Sequence, residues 1–156
     1  MTLYPDSSFV VACRVPHDTW HEVAIGFFEK HQEETWLWSP WHRVEVFNTI
    51  RQLARHPDAK RSMSEAEAKA LIHRLENDVR CGHFLHLEAD WRDVLRTASE
   101  ISVANAFARA CPGTDLLHVA YAVELAAEAF VSFDDEQLEL AGAAGLRAIR
   151  PGTRYR

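Results

Sequence analysis

The sequence predicts an α/β fold in which one domain, residues 1–156, has a mostly parallel central sheet flanked by helices. Short segments of strand character alternate along the chain with longer segments whose apolar residues recur at helical spacing. A length of 156 residues suits one domain, and no repeat or linker divides it. The composition, 47% hydrophobic and 26% charged, excludes a disordered chain and a small disulfide scaffold.

Five segments are predicted to be strands because they are short and apolar, and several are aromatic or β-branched. In chain order they are residues 2–5, 35–38, 83–87, 130–133 and 148–149. Pro5 removes a backbone donor at the end of the first strand, which suggests an edge strand or an early end.

Helical spacing predicts four helices in the first half of the chain. They are residues 7–14, 18–31, 40–55 and 65–80. Asp18 is placed to cap the second helix. Ser39 and Pro40 provide a hydroxyl cap and a proline at the first helical position, and Ser64 with Glu67 forms a capping box.

Three further helices are predicted in the second half. One begins at Asp90–Asp93, one spans residues 115–128 after Pro112-Gly113-Thr114, and one spans residues 136–144. Strands that alternate with helices in this way favour a parallel sheet.

Four acidic residues stand where strands end or on helices that follow. Asp6 follows the first strand, Asp134 follows the strand at 130–133, Asp115 begins a helix, and Glu45 lies in the helix after Ser39-Pro40. In open parallel sheets, ligands bind outside the carboxyl ends of the strands. Asp6 and Asp134 are expected at that edge, and Asp115 could join them.

Each acid also has an ordinary structural interpretation. Asp6, Asp115 and Asp134 could cap or begin helices, whose N-termini favour carboxylates. Glu45 could lie on a solvated helix face. That face would hold Asn48, Thr49 and Gln52, with Val44, Phe47 and Ile50 on a core face.

Four motifs occur in order: Leu3–Ser8, Arg43–Val46, Thr114–Ala120 and Phe130–Asp134. Together they resemble the PIN-domain family of metal-dependent ribonucleases, especially the toxins of VapBC toxin–antitoxin pairs, over nearly the whole chain. The resemblance implies endonucleolytic cleavage of RNA at Mg²⁺ or Mn²⁺ held by Asp6, Glu45, Asp115 and Asp134. It also implies a cognate antitoxin and self-association, commonly as a dimer.

The chemistry of crowded carboxylates agrees with a metal site. Two such charges about 4 Å apart repel by about 4 kcal/mol at an effective dielectric constant near 20, so a cluster takes up protons or a cation. Oxygen ligands favour Mg²⁺ or Mn²⁺ over Zn²⁺. Ser7 and Ser132 could support a carboxylate or a metal-bound water, or could serve as helix caps.

The formal net charge of −6 argues against general affinity for nucleic acid, although without the four acids it would be −2. Arg43 is a candidate for phosphate binding or for a structural ion pair. Two basic stretches are further candidates, or ordinary solvated charge. They are Arg51, Arg55, Lys60 and Arg61, and Arg147, Arg150, Arg154 and Arg156.

Other classes lack their motifs. Three isolated cysteines and the absence of HExxH argue against zinc, and no GxGxxG or Walker sequence is present.

His118 is expected to pack or to orient a ligand. Asp134 is preferred to Asp135 as the acid that faces the metal. The five tryptophans could form core or a partner surface.

With neither a signal peptide nor a membrane span in the sequence, a cytoplasmic setting is expected. The alternative function is a PIN-fold protein that binds RNA or protein without cutting.

Overall fold

A computed structural model describes residues 1–58, 62–108 and 111–152. Its strands are β1 (Thr2–Pro5), β2 (Thr35–Trp38), β3 (Leu85–His86), β4 (Ala129–Val131) and β5 (Arg147–Ile149). Its helices are α1 (Ser7–Arg14), α2 (His21–Lys30), α3 (Pro40–Leu53), α4 (Glu65–Arg80), α5 (Trp91–Asn105), α6 (Gly113–Glu124) and α7 (Asp135–Ala143).

The sheet is parallel at every described pairing, in the order β3-β2-β1-β4-β5. The predicted α/β class is therefore confirmed. β1 lies at the centre, with β4 on one side and β2 on the other. This order brings the carboxyl ends of β1 and β4 together, although more than 100 residues separate them in sequence.

Alternation along the strands divides the apolar residues between the two faces of the sheet. Leu3, Trp36 and Ala129 belong to a core with residues of α1–α4. Tyr4 and Phe130 belong to a core with residues of α5–α7. The sheet is thus covered on both faces, as is usual when its strands are parallel.

The suggestion that Pro5 marks an edge strand is wrong, because β1 is the central strand of the sheet. Pro5 is instead the last residue of β1, as the alternative of an early end requires. The pairing of β1 with β2 ends at Leu3 and Trp36, while on the other side the amide of Asp6 donates to Val131 at 2.9 Å. The missing donor of Pro5 therefore falls where the ladder with β2 has stopped.

Three local predictions need correction. α2 begins at His21 rather than at Asp18, because the Asp18 carboxylate instead accepts from the amide of Trp20 in a preceding turn. α6 ends at Glu124, four residues earlier than predicted, and Ala126 then takes a positive φ of 53°. Val44 is 60% exposed and so does not share the core face of Phe47.

Among the described residues, no helix combines the length and apolarity needed to cross a membrane. The five tryptophans differ in exposure, and Trp41 is intermediate. Trp36 and Trp38 are buried in the core, whereas Trp20 and Trp91 are exposed.

Candidate active site

Four structural elements bring the predicted acids toward the carboxyl edge of β1 and β4. Asp6 follows β1 and caps α1, and Asp134 follows β4 and caps α7. Asp115 lies in the first turn of α6, and Glu45 lies in the second turn of α3. Helix starts and strand ends thus supply the side chains of the candidate site.

Asp6 is buried and held on both oxygens. Its Oδ1 accepts from the amide of Phe9 at 2.7 Å, and its Oδ2 accepts from the hydroxyls of Ser8 at 2.6 Å and Ser132 at 2.9 Å. Burial raises the pKa of Asp6 above its usual value despite these hydrogen bonds, which oppose the rise. The Asp6 carboxylate is therefore fixed in position, but its ionised form costs free energy because it is buried.

A short polar network joins Asp6 to the acids on α6 and α7. Ser132 accepts from the amide of Asp134 at 2.9 Å, and its hydroxyl lies 3.2 Å from Oε1 of Gln137. The Gln137 amide donates to Oδ1 of Asp115 at 3.3 Å. Gln137 is buried and bridges Ser132 and Asp115.

The pKa of Asp115 shows most clearly that the acidic side chains are crowded. Partial burial, followed by the charges of Asp134, Glu45 and Asp6, raises the pKa of Asp115 from 3.8 to about 6, against an opposing effect of His118. The other three acids are therefore close enough to affect the ionisation of Asp115. Such an arrangement favours uptake of a proton or a cation.

Glu45 is positioned by a buried histidine. His118 is 1% exposed, and its Nε2 contacts both Oε2 of Glu45 and the hydroxyl of Ser7, the latter at 2.9 Å. Burial would raise the pKa of Glu45, but hydrogen bonds from His118 and Ser7 outweigh it and lower the pKa below its usual value. His118 thus orients a candidate ligand, one of the two roles expected for it.

From His118, a series of buried hydrogen bonds continues through Tyr4 and Ser39 to His42. The Tyr4 hydroxyl lies 3.1 Å from Nδ1 of His118 and 3.0 Å from the hydroxyl of Ser39. The Ser39 amide donates to Nδ1 of His42 at 2.9 Å, and Nε2 of His42 donates to the carbonyl of Pro5 at 2.7 Å. Burial lowers the pKa of His42 well below its usual value, so the ring is neutral.

One assignment of protons satisfies the part of this hydrogen-bond chain that runs from Ser39 to Glu45. If Ser39 donates to Tyr4, and Tyr4 donates to Nδ1 of His118, then Nε2 of His118 carries the proton that Glu45 accepts. These three donors then point toward the carboxylate, whereas His42 donates in the other direction, to the Pro5 carbonyl. The two ends of the chain are Glu45 and the Pro5 carbonyl that precedes Asp6.

Asp134 and Asp135 have different surroundings. Oδ1 of Asp134 accepts from the amides of Glu136 at 2.9 Å and Gln137 at 3.2 Å. Asp135 instead pairs with Arg150, whose guanidinium also donates to the Phe133 carbonyl at 2.6 Å. This geometry supports the preference for Asp134. Arg150, treated from sequence as part of a basic stretch, anchors the loop before α7.

The candidate RNA-binding arginines lie elsewhere, Arg43 and Arg51 on α3 and Arg55 just after its end. Arg43 pairs with Glu76 at 2.7 Å, which is the structural ion pair allowed for it. Arg51 and Arg55 line a cavity of about 580 Å³ between α3 and α4. Glu45 lines a different cavity, so the structure does not bring these arginines to the acids. Lys60, Arg61, Arg154 and Arg156 lie outside the described residues.

The cavity beside Glu45 has a volume of about 600 Å³ and is also lined by Ser7 and Ser8. Trp20 and Phe133 lie along it, with their rings stacked at a centroid distance of 5.0 Å. The cavity next to Glu45 is therefore lined by both polar groups and aromatic rings.

Within residues 1–58, 62–108 and 111–152, no three His, Cys, Asp or Glu side chains stand so that one ion could bind them all. The carboxylates of Asp6 and Glu45 are instead hydrogen-bonded to donors of the protein itself, which explains why they do not converge on one point. The donor set itself, oxygen from four carboxylates, suits Mg²⁺ or Mn²⁺. Binding an ion would require side-chain rotation at these residues.

Sequence reasoning missed Gln137, Tyr4, Ser39 and His42. Gln137 follows Asp134 by three residues, a spacing that places it in the first turn of α7 and could have indicated it. The other three are joined only through the fold.

No protein-family model matches the chain, and no curated protein matches it in sequence. Solved structures do match. VapC20 from Mycobacterium tuberculosis, a Sarcin-Ricin loop cleaving toxin, has a TM-score of 0.68 at 18% identity and covers 96% of this chain and 99% of its own.

Two further structures agree with this result. VapBC2 from Rickettsia felis, bound to a DNA fragment from its promoter, has a TM-score of 0.69 at 11% identity over 96% of this chain and 98% of its own. FitAcB from Neisseria gonorrhoeae has a TM-score of 0.66 at 18% identity over 94% and 95%. The chain therefore has the PIN-domain fold that its four motifs indicate.

Proposed function

We propose that this chain is an endoribonuclease dependent on Mg²⁺ or Mn²⁺, and that it acts as the toxin of a VapBC-type pair. One observation carries the proposal. Four carboxylates from separate elements gather at the carboxyl edge of a PIN-domain sheet, closely enough that Asp134, Glu45 and Asp6 raise the pKa of Asp115. The fold shared with VapC20 supports the choice of RNA as substrate.

Asp6, Glu45, Asp115 and Asp134 would hold the ion. A bound divalent ion supplies an activated water and neutralises charge on the phosphate. Ser8 and Ser132 fix the Asp6 carboxylate, and His118 with Ser7 fixes that of Glu45. The groove beside Glu45 would admit the phosphodiester.

We further propose an antitoxin as partner, because VapBC2 and FitAB were solved as complexes bound to DNA. The alternative, a PIN-fold protein that binds without cutting, is less well supported. A binding module has no need of buried Asp6 or of crowding at Asp115, both of which cost free energy in an ionised state.

The test is cleavage of structured RNA and of total cellular RNA, with Mn²⁺ or with EDTA. Asp6→Asn should abolish cleavage, and Asp135→Asn is a matched control because that side chain faces Arg150. Calorimetry with Mn²⁺ alone gives a second readout, since Asp6→Asn should also weaken metal binding.

Circular dichroism shows whether each variant is folded. Metal-dependent cleavage by a folded variant carrying both Asp6→Asn and Asp115→Asn would contradict the assigned roles. Metal binding without cleavage of any cellular RNA would favour the non-cutting alternative.

A further inference from the structure

A series of four stacked aromatic rings runs from the core of the protein to its surface. Trp36 stacks on Phe9 with ring centroids 5.3 Å apart and an angle of 6° between the planes. Phe9 stacks in turn on Phe133 at 5.9 Å, and Phe133 stacks on Trp20 at 5.0 Å. The first three residues are buried, whereas Trp20 is 41% exposed. The series therefore ends in an indole ring that is partly open to solvent.

Trp20 is held in place through its backbone and through its ring. Its amide donates to Oδ1 of Asp18, and its carbonyl accepts from the amide of Ala24, each at 2.8 Å. Its ring rests on Phe133, and the guanidinium carbon of Arg150 lies 5.6 Å from the ring centroid. A ring that is fixed in this way needs little further ordering when a flat ligand stacks on it.

The Trp20 ring shares a cavity with the candidate active site. The cavity of about 600 Å³ is lined by Trp20 and Phe133 and also by Glu45 and Ser8. Glu45 is one of the four acids, and Ser8 holds the Asp6 carboxylate. Pockets of about 300–1,000 Å³ accommodate small organic ligands, and one nucleotide is of that size.

The charges near Trp20 favour a base over a phosphate beside this ring. Asp18 lines the same cavity, and the positive charge of Arg150 is already balanced by Asp135. A carboxylate repels a phosphate but accepts hydrogen bonds from the amino groups of bases. A bound divalent ion would neutralise the phosphate at the acids, which leaves the neighbouring base to meet the ring.

The immediate neighbours of Trp20 favour a base over a protein partner. The three residues before it, His17, Asp18 and Thr19, are polar. Protein interfaces use contiguous apolar patches, whereas a base needs only the face of one aromatic ring.

We propose that Trp20 is a substrate-binding residue that stacks with an unpaired base next to the scissile phosphate of RNA. Proteins that recognise RNA loops commonly stack splayed bases on aromatic side chains in this way. The inference rests on the proposed nuclease function and adds to it a subsite for one nucleotide. It also implies selection of RNA in which that nucleotide is not base-paired.

Cleavage kinetics with Mn²⁺ test the subsite, on a short RNA that spans a mapped cleavage site. Trp20→Leu keeps apolar packing on Phe133 but removes the flat ring. It should raise KM by about 5- to 150-fold, the range for loss of one base–aromatic stack, with kcat nearly unchanged. Trp20→Phe should recover most of the loss. Trp91→Leu is the matched control and should leave KM unchanged, because Trp91 is 46% exposed but packs on Tyr121 at α5.

Abasic nucleotides identify the base that meets the ring. With the wild-type protein, removing one base at a time around the cleavage site should raise KM most at one position. In Trp20→Leu, the abasic nucleotide at that position should cause no further rise, because its partner in the contact is already missing. Rises that simply add would overturn the proposal.

Fluorescence gives a readout that does not require cleavage. In the Asp6→Asn background with Mg²⁺, short oligoadenylate should quench tryptophan emission. The same RNA paired with oligouridylate should not. Trp20→Leu should remove most of the quenching, and Trp91→Leu should not. Thermal melts show that each variant is folded.

These measurements separate the subsite from the nuclease function. Unchanged KM and unchanged quenching in folded Trp20→Leu would overturn the subsite, even if the wild-type protein cleaves RNA. Quenching that depends on Trp20, without cleavage by the wild-type protein, would support the subsite and contradict the nuclease. Equal effects of Trp20→Leu and Trp91→Leu would also overturn the subsite. So would a Trp20→Leu variant that loses only binding to a co-expressed protein partner.

Discussion

Replacing Asp115 by asparagine should make the metal-free protein more stable at pH 7. The folded-state pKa of Asp115 is about 6, against 3.8 when unperturbed. Between these values the folded protein binds more protons than the unfolded chain, so its unfolding free energy falls as the pH rises through this window. Asparagine cannot ionise and avoids that loss.

The size of the effect follows from the pKa. At about 1.36 kcal/mol for each pKa unit, the rise corresponds to at most about 3 kcal/mol. Because Asp115 is only half-buried, solvent screening reduces this to about 1–2 kcal/mol. For a chain of this length, the melting temperature should increase by about 2–8 °C.

The assay is thermal and urea unfolding of both proteins in EDTA at pH 7 and near pH 4. The gain should be present at pH 7 and should largely vanish near pH 4, where Asp115 is protonated in the folded protein. Asp135→Asn is the control and should give no gain, because its carboxylate pairs with Arg150. Destabilisation by Asp115→Asn at pH 7, or an equal gain at both pH values, would refute the reasoning.

Three further changes test other parts of the structure. His118→Ala should lower the unfolding free energy by about 2–4 kcal/mol in urea, because it removes a buried hydrogen-bond partner from both Glu45 and Tyr4; no loss would mean that water replaces the ring. Tyr4→Phe keeps the aromatic packing and should cost about 1–2 kcal/mol in the same assay, and a cost as large as that of His118→Ala would contradict a role limited to the hydroxyl. Ser64→Ala removes the capping box of α4 and should lower stability by about 1 kcal/mol, and Thr in its place should recover most of that loss in thermal melts.

Much of the fold could be predicted because its signals are local. Short apolar segments and helix caps depend on near neighbours, so the strands at 2–5 and 35–38 and the capping box at Ser64 agree with the structure. The prediction was wrong at the start of α2. There the Asp18 carboxylate accepts from the amide of Trp20, and sequence alone does not decide which local turn such a side chain forms.

The candidate site was less accessible from sequence. The four acids could be named because motifs mark them, and their roles remain predictions. The network behind them could not be foreseen, since Tyr4 meets Ser39 and His118 across 35 and 114 residues. Val44 was misplaced because apolar character alone does not show which side of a helix meets the sheet.

The central position of β1 has a consequence for the order of events during synthesis. Asp6 is made long before Ser132, and the hydrogen bond between them closes a loop of 126 residues. At about 5–20 residues per second, translation needs about 6–25 s to cover that interval. A nascent chain that lacks β4 has neither the second neighbour strand of β1 nor Asp134. The four acids therefore cannot come together on the ribosome until most of the chain has emerged.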